Sequence, residues 1–206
     1  ATNDAHGAET ADAAFVLDTG GDDSYKSPVG TSGPSRAVSV LVDLGGSDRY
    51  FDQVGAGLVG VGMAFDLGAG NDSYATADAT QGVGSLGVGV LFDDGGNDAY
   101  AAGGVAQGAA AWGVGLLLDA SGDDKYAIDT AGEGYGFTRG VGMLVDAKGN
   151  DRYVANPGDP SLGGTVKYPS DQLPGKPQSQ VAGNFSFAQG CGAGHRPDWP
   201  DPGFPL

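Results

Sequence analysis

Six short apolar runs recur along the chain, each closed by an aspartate: AAFVLD, VSVLVD, VGMAFD, VGVLFD, VGLLLD and VGMLVD. Counting back from that Asp, the first position holds Leu17, Val42, Phe65, Phe92, Leu118 and Val145. The third holds Phe15, Val40, Met63, Val90, Leu116 and Met143, and the fifth Ala13, Val38, Val61, Val88, Val114 and Val141. A period of two puts these columns on one face of a strand, predicted to point inward. The fourth position is Ala14, Ser39, Gly62, Gly89, Gly115 and Gly142, and Gly60, Gly87, Gly113 and Gly140 fill most of the sixth. The opposite face is therefore predicted to be an outward stripe nearly free of side chains. Gly in a strand costs roughly 0.5–1 kcal/mol per residue. Eight such positions imply that something lies close against that stripe: an inserted segment of the chain, a second copy, or another protein.

Each run leads into a second repeated element, D-x-x-G-[D/N/S]-D-x-Y, once with an extra residue: DTGGDDSY from Asp18, DLGGSDRY from Asp43, DLGAGNDSY from Asp66, DDGGNDAY from Asp93, DASGDDKY from Asp119 and DAKGNDRY from Asp146. The leading aspartates stand 25, 23, 27, 26 and 27 residues apart. Hairpins would need two-residue turns between paired strands, and propeller blades need about 40 residues each. A period near 26 suits one coil of a parallel β-solenoid, with like residues stacked at about 4.8 Å. The predicted fold is all-β, a parallel β-solenoid of about six coils over residues 1–154. A ladder of Gln53, Gln81, Gln107 and Glu133, each 12 or 13 residues before a leading Asp, supports the register, and His6 falls in step with it. Residues 155–186, rich in Pro, Gly and Ser, read as an insertion loop. Residues 187–206 read as a partial return coil around Gln189 followed by a Pro-rich tail. Both ends of the sequence fall inside a coil, which predicts a segment of a longer protein or ends covered by a partner.

Composition narrows the chemistry. Gly contributes 40 residues, and Asp outnumbers Glu, present only as Glu9 and Glu133, by more than ten to one. Helix surfaces favour Glu, whereas Asp favours turns and calcium loops. The formal net charge of −16 argues against nucleic acid and against insertion into anionic membranes. A single cysteine, Cys191, excludes an intrachain disulfide and a Cys-rich zinc site.

The turn segments GAGNDSY and GGNDAY resemble the GGxGxDxUx nonapeptides of RTX calcium-binding repeats, with one motif per coil instead of one per nine residues. The chain is also similar to secreted bacterial repeat proteins carrying DLGGDDRY-like motifs, a likeness that brings no activity. The RTX resemblance implies Ca²⁺ held by turn carbonyls and Asp side chains of successive coils.

Stacking makes the same case from the residues alone. It places Asp18, Asp43, Asp66, Asp93, Asp119 and Asp146 in one column and Asp23, Asp48, Asp72, Asp98, Asp124 and Asp151 in another. Unit charges 5 Å apart repel by about 1 kcal/mol in water and several times more at a protein surface. On turns these carboxylates are expected to stay ionised at neutral pH, and only Arg49, Lys125 and Arg152 follow the second Asp. Bound Ca²⁺ is therefore the expected cofactor, with all twelve aspartates as candidate ligands. The competing reading makes each Asp an Asx-turn cap for its own backbone. Tyr25, Tyr50, Tyr74, Tyr100, Tyr126 and Tyr153 form a third column, read as packing.

The functional expectation is an extracellular or cell-surface, calcium-stabilised structural or binding module. Its partners would be another protein or further copies of itself, meeting the Gly stripe and the solenoid ends. The alternative is a carbohydrate-active β-helix that binds or cleaves polysaccharide near 155–206, where His195, Arg196 and Asp198 cluster. No catalytic residue is assigned.

Overall fold

A computed structural model describes residues 12–155 of the 206. The insertion and tail expected at 155–206, with Gln189, Cys191 and His195, lie outside the described residues apart from Ala155, as does His6. The described chain is a parallel β-solenoid of about five full turns, and it contains no helix and hence none able to cross a membrane. In chain order the strands are β1 (Ala13–Asp18), β2 (Ser24–Tyr25), β3 (Val38–Asp43), β4 (Arg49–Tyr50), β5 (Gly60–Asp66), β6 (Ser73–Ala75), β7 (Gly84–Ser85), β8 (Gly87–Asp93), β9 (Ala99–Gly104), β10 (Ala110–Ala111), β11 (Val114–Asp119), β12 (Lys125–Thr130), β13 (Val141–Asp146) and β14 (Arg152–Ala155).

The six apolar runs form one parallel sheet, β1-β3-β5-β8-β11-β13, and the six Tyr-bearing strands form another, β2-β4-β6-β9-β12-β14. The β7–β10 pair and bridges such as Val29↔Val54 and Ser32↔Gly57 make a short third side. Every rung pairs like with like: Val88 with Val61 and Val114, Asp93 with Asp66 and Asp119, Tyr100 with Tyr74 and Tyr126. The repeat length sets this register, because each coil must close once per period.

The two faces of the first sheet are the reverse of the expectation. Leu41, Ala64, Leu91 and Leu117, second from the Asp, point into the solenoid, together with Gly62, Gly89, Gly115 and the leading Asp. The columns of Val38, Val61, Val88, Val114 and Val141, of Phe15 and Val40, and of Leu17 and Val42 point out. A Gly column inside becomes necessary because the third side lies directly on the first sheet, backbone against backbone. A Cβ on Gly62, Gly89, Gly115 or Gly142 would strike the carbonyl of Ala56, Val83, Ala109 or Tyr135. The Leu116 and Met143 amides, on the edges of this contact, donate to the Gly82 and Gly108 carbonyls at 2.9 Å. The stripe is thus covered as expected, but by the chain's own third side, and it is not available to a partner.

Each coil accordingly has a flat half with almost no side chains between its walls and a wide half filled by Leu, Tyr and Asp. In the wide half the six tyrosines stack with centroids 4.6–4.7 Å apart and ring planes within 5° of parallel. Tyr25 through Tyr126 are buried against the Leu column. The packing reading of this column therefore holds. The glutamine ladder shifts by one residue at its first rung: the register runs Val29, Val54, Gln81, Gln107 and Glu133, with Gln53 beside it. Gln81 and Gln107 are buried at the corner in left-handed conformation, φ 53°, and their amides donate to the Tyr74 and Tyr100 carbonyls.

Candidate metal centre

The D-x-x-G-[D/N/S]-D-x-Y segment turns the chain from the first sheet into the second. Its leading Asp ends a first-sheet strand facing inward. Its second Asp and its Tyr, two residues apart on one face of the next strand, face inward from the other wall. The fixed Gly is dictated by the stack, since a Cβ on Gly70, Gly96, Gly122 or Gly149 would strike the carbonyl of the equivalent Gly one coil earlier.

The leading aspartates cap their own turns. The amides of Gly20, Gly45, Gly95 and Ser121 donate to Oδ1 of Asp18, Asp43, Asp93 and Asp119 at 3.0–3.2 Å. Their Oδ2 atoms receive tyrosine hydroxyls from two coils. The Tyr74 hydroxyl donates to Asp93 at 2.7 Å and lies 3.3 Å from Asp66, and Tyr100 donates to Asp119 at 2.7 Å and lies 3.1 Å from Asp93. A phenol carries one proton, so between two ionised carboxylates only one contact can be a hydrogen bond. Removing the Tyr100 hydroxyl takes this donor from Asp119, while Asp93 keeps that of Tyr74 and the rings still stack. Tyr100→Phe is expected to cost about 1–3 kcal/mol in denaturant unfolding, the range for a buried acceptor left unsatisfied.

The second aspartates do something the sequence does not announce. The amides of Asp23, Asp48, Asp72, Asp98 and Asp124 donate to Oδ1 of the second Asp one coil later, Asp48, Asp72, Asp98, Asp124 and Asp151, at 2.5–3.0 Å. The preceding [D/N/S] position builds an outer ladder that runs the other way. Ser47, Asn71, Asn97, Asp123 and Asn150 donate their amides to the side chains of Asp22, Ser47, Asn71, Asn97 and Asp123. Any short acceptor serves there, which explains the degeneracy of that position.

One oxygen of each inner aspartate remains. The Oδ2 atoms of Asp48, Asp72, Asp98 and Asp124 are buried without a hydrogen-bond partner, on residues 1–3 % exposed. Four groups of three carboxylates bring one oxygen apiece within 4.8 Å of one another: Asp43, Asp48 and Asp66; Asp66, Asp72 and Asp93; Asp93, Asp98 and Asp119; and Asp119, Asp124 and Asp146. These groups could hold metal ions. Nine of the twelve candidate ligands are thereby assembled. Asp18, Asp23 and Asp151 continue the same columns outside any such group. Arg49, Lys125 and Arg152 project from the outer face of the second sheet and do not enter the array.

The expectation that these carboxyls stay ionised at neutral pH fails for Asp72 and Asp98, whose place inside the coil raises them most. Burial above all pushes Asp98 up to about 9, Asp72 to about 8, Asp48 and Asp93 to about 7, and Asp66 and Asp124 to about 6, with neighbouring carboxylates adding to the rise. Protons and cations therefore compete for the same oxygens. The Asx-turn and ligand readings also prove compatible, since the two oxygens of one carboxylate can serve both.

No family model, curated protein or solved structure matches the chain.

Proposed function

We propose that this chain is a calcium-stabilised structural or binding module of an extracellular or cell-surface protein, its interior acids neutralised by a file of ions. The reading is carried by the unpartnered, buried Oδ2 atoms of Asp48, Asp72, Asp98 and Asp124, each on a residue that belongs to a group of three carboxylates. Oxygens sharing one Ca²⁺ at about 2.3–2.6 Å stand at most about 5 Å apart, which the groups satisfy. Mg²⁺ holds its water tightly and prefers a smaller octahedron, a poor match to a buried set of carboxylates. Charge also favours a divalent ion. The four groups contain nine carboxylates, and four divalent ions supply eight positive charges where monovalent ions supply four. Asp66, Asp93 and Asp119 each belong to two groups, so neighbouring ions would share a carboxylate. The likeness of the turns to RTX repeats supports the same ion. Bound there, calcium would supply only charge neutralisation and cross-linking between coils. Self-association through the solenoid ends belongs to this reading as well, since a bare end strand can pair with another chain.

Calcium bound to the folded state alone adds about 2.7 kcal/mol at a hundredfold excess over Kd. Thermal melts at pH 8 should therefore shift upward by several degrees in calcium relative to chelator. Asp98→Asn sharpens the test, because it removes one buried ionisable group and one ligand together. The variant should melt above the parent in chelator and gain less from calcium. Superimposable parent melts in calcium and chelator, with no calcium found by elemental analysis, would refute the reading.

A further inference from the structure

We infer that the outer face of the first sheet is the docking surface for a second copy of this chain, two solenoids packing sheet to sheet. The inversion described above leaves three outward columns, and all eighteen positions are apolar: Ala13 to Val141, Phe15 to Met143 and Leu17 to Val145. The face widens on one side through Val59, Leu86 and Trp112, and on the other through Leu44 and Leu67. Leu86 is 63 % exposed, Phe15 65 %, Val141 56 % and Trp112 49 %. By contrast, the outer face of the second sheet carries Arg49, Lys125 and Arg152. Sheets that are entirely parallel and read as near-continuous apolar runs are found with both faces covered. The third side covers only the inner face.

Three observations select a second copy as the occupant. The first is area. Six rungs at about 4.8 Å and nine residues at about 3.3 Å give a face of roughly 29 by 30 Å, some 850 Å². That is close to the roughly 800 Å² per partner of a stable dimer. The second is charge. The chain is strongly acidic, yet this face presents no acid in its three columns, because the neighbouring aspartates point into the coil. Two copies can meet over the three columns without burying charge, and the charges of the flanks, Asp94 in step with Leu67 and Arg139 in step with Trp112, fall at the rim. The third is periodicity. The face is corrugated at the rung spacing, and a surface that fits it over six rungs must share that spacing. The same face on another copy does, and a two-fold axis lays β5 and β8 over the partner's β8 and β5. Patches of this size on a soluble chain mark interaction sites.

The test is sedimentation velocity on the full chain across the micromolar range, in calcium and in chelator. The parent should sediment as a dimer. Leu116→Glu, in the central column of the face, and Leu86→Glu, at its exposed flank, should sediment as monomers with unchanged circular dichroism. Each places an unpaired charge in the contact, and association should weaken roughly a hundredfold or more. Arg152→Glu, on the other sheet, should remain dimeric. Leu86 projects into solvent in a single copy, so its variant folds even if Leu116→Glu does not. A parent that stays monomeric throughout, as it would if another part of its own chain covered the face, overturns the inference. So does a dimer indifferent to both substitutions. Neither outcome bears on calcium, which is read separately from the melts.

Discussion

Gly89→Ala is expected to destabilise the solenoid by about 3 kcal/mol or more, the upper end of the cost of overpacking. A single methyl group has this effect because of what it meets. The added Cβ would fall on the Val83 carbonyl, with the Gly55 carbonyl close behind. Both are backbone, so no side chain can rotate away, and the third side would have to lift from the first sheet. Gly115→Ala, against the Ala109 carbonyl, should behave alike. Gly33→Ala is the control: nothing lies within 4 Å of its Cβ, and its effect should stay within about 0.5 kcal/mol. Equilibrium urea unfolding of the three variants measures the difference. If Gly89→Ala unfolds at the same midpoint as the parent, the backbone-on-backbone contact is wrong.

In chelator, the parent should become more stable as pH falls, opposite to the acid sensitivity of most folded proteins. The interior carboxyls have folded values raised above their ordinary 3.8, so the neutral form favours folding. Their contribution is fully present below about pH 4. It is lost as pH rises through about 6 for Asp66 and Asp124, 7 for Asp48 and Asp93, 8 for Asp72 and 9 for Asp98. Even two or three pKa units of this linkage, at about 1.4 kcal/mol per unit, should raise Tm by at least about 10 °C between pH 9 and pH 5. Calcium should flatten the profile by stabilising the alkaline end, because it binds the ionised carboxylates that protons otherwise neutralise. Melting at closely spaced pH values, with and without chelator, reads both trends. A chelated protein that loses stability steadily from pH 9 to pH 5 would show the interior acids to be solvated.

Spacing alone made the coil, the register and the three columns of Asp, Asp and Tyr legible, since each repeats at one place in the period. Which face turned inward was not legible from alternation, which distinguishes two faces without ranking them. Apolar columns opposite Gly columns point to the apolar side as the core when side chains fill that core. Here the carbonyls of the third side fill half of it, and only Gly leaves room. A signal was nevertheless present. The Leu41, Leu91 and Leu117 column shares its parity with Gly and Asp, so runs such as VGLLLD are apolar on both faces, as strands covered on both sides are. The second Asp likewise shares parity with a Tyr already read as packed, which places its carboxylate inside. The orphaned Oδ2 atoms and the left-handed Gln81 and Gln107 arise from how neighbouring coils meet, and no single repeat encodes them.

The interior columns also make length a thermodynamic variable. Each additional coil brings one more stacked phenol and one more buried Leu. It also brings two more enclosed carboxylates, so the charge awaiting neutralisation grows in proportion to the number of coils. Without protons or cations the electrostatic strain accumulates coil by coil, and the longest arrays are the least tolerant of its removal. With neutralisation supplied, every coil adds net cohesion. The supply of counter-ions, more than the strength of any one turn, then sets how far such a solenoid can extend.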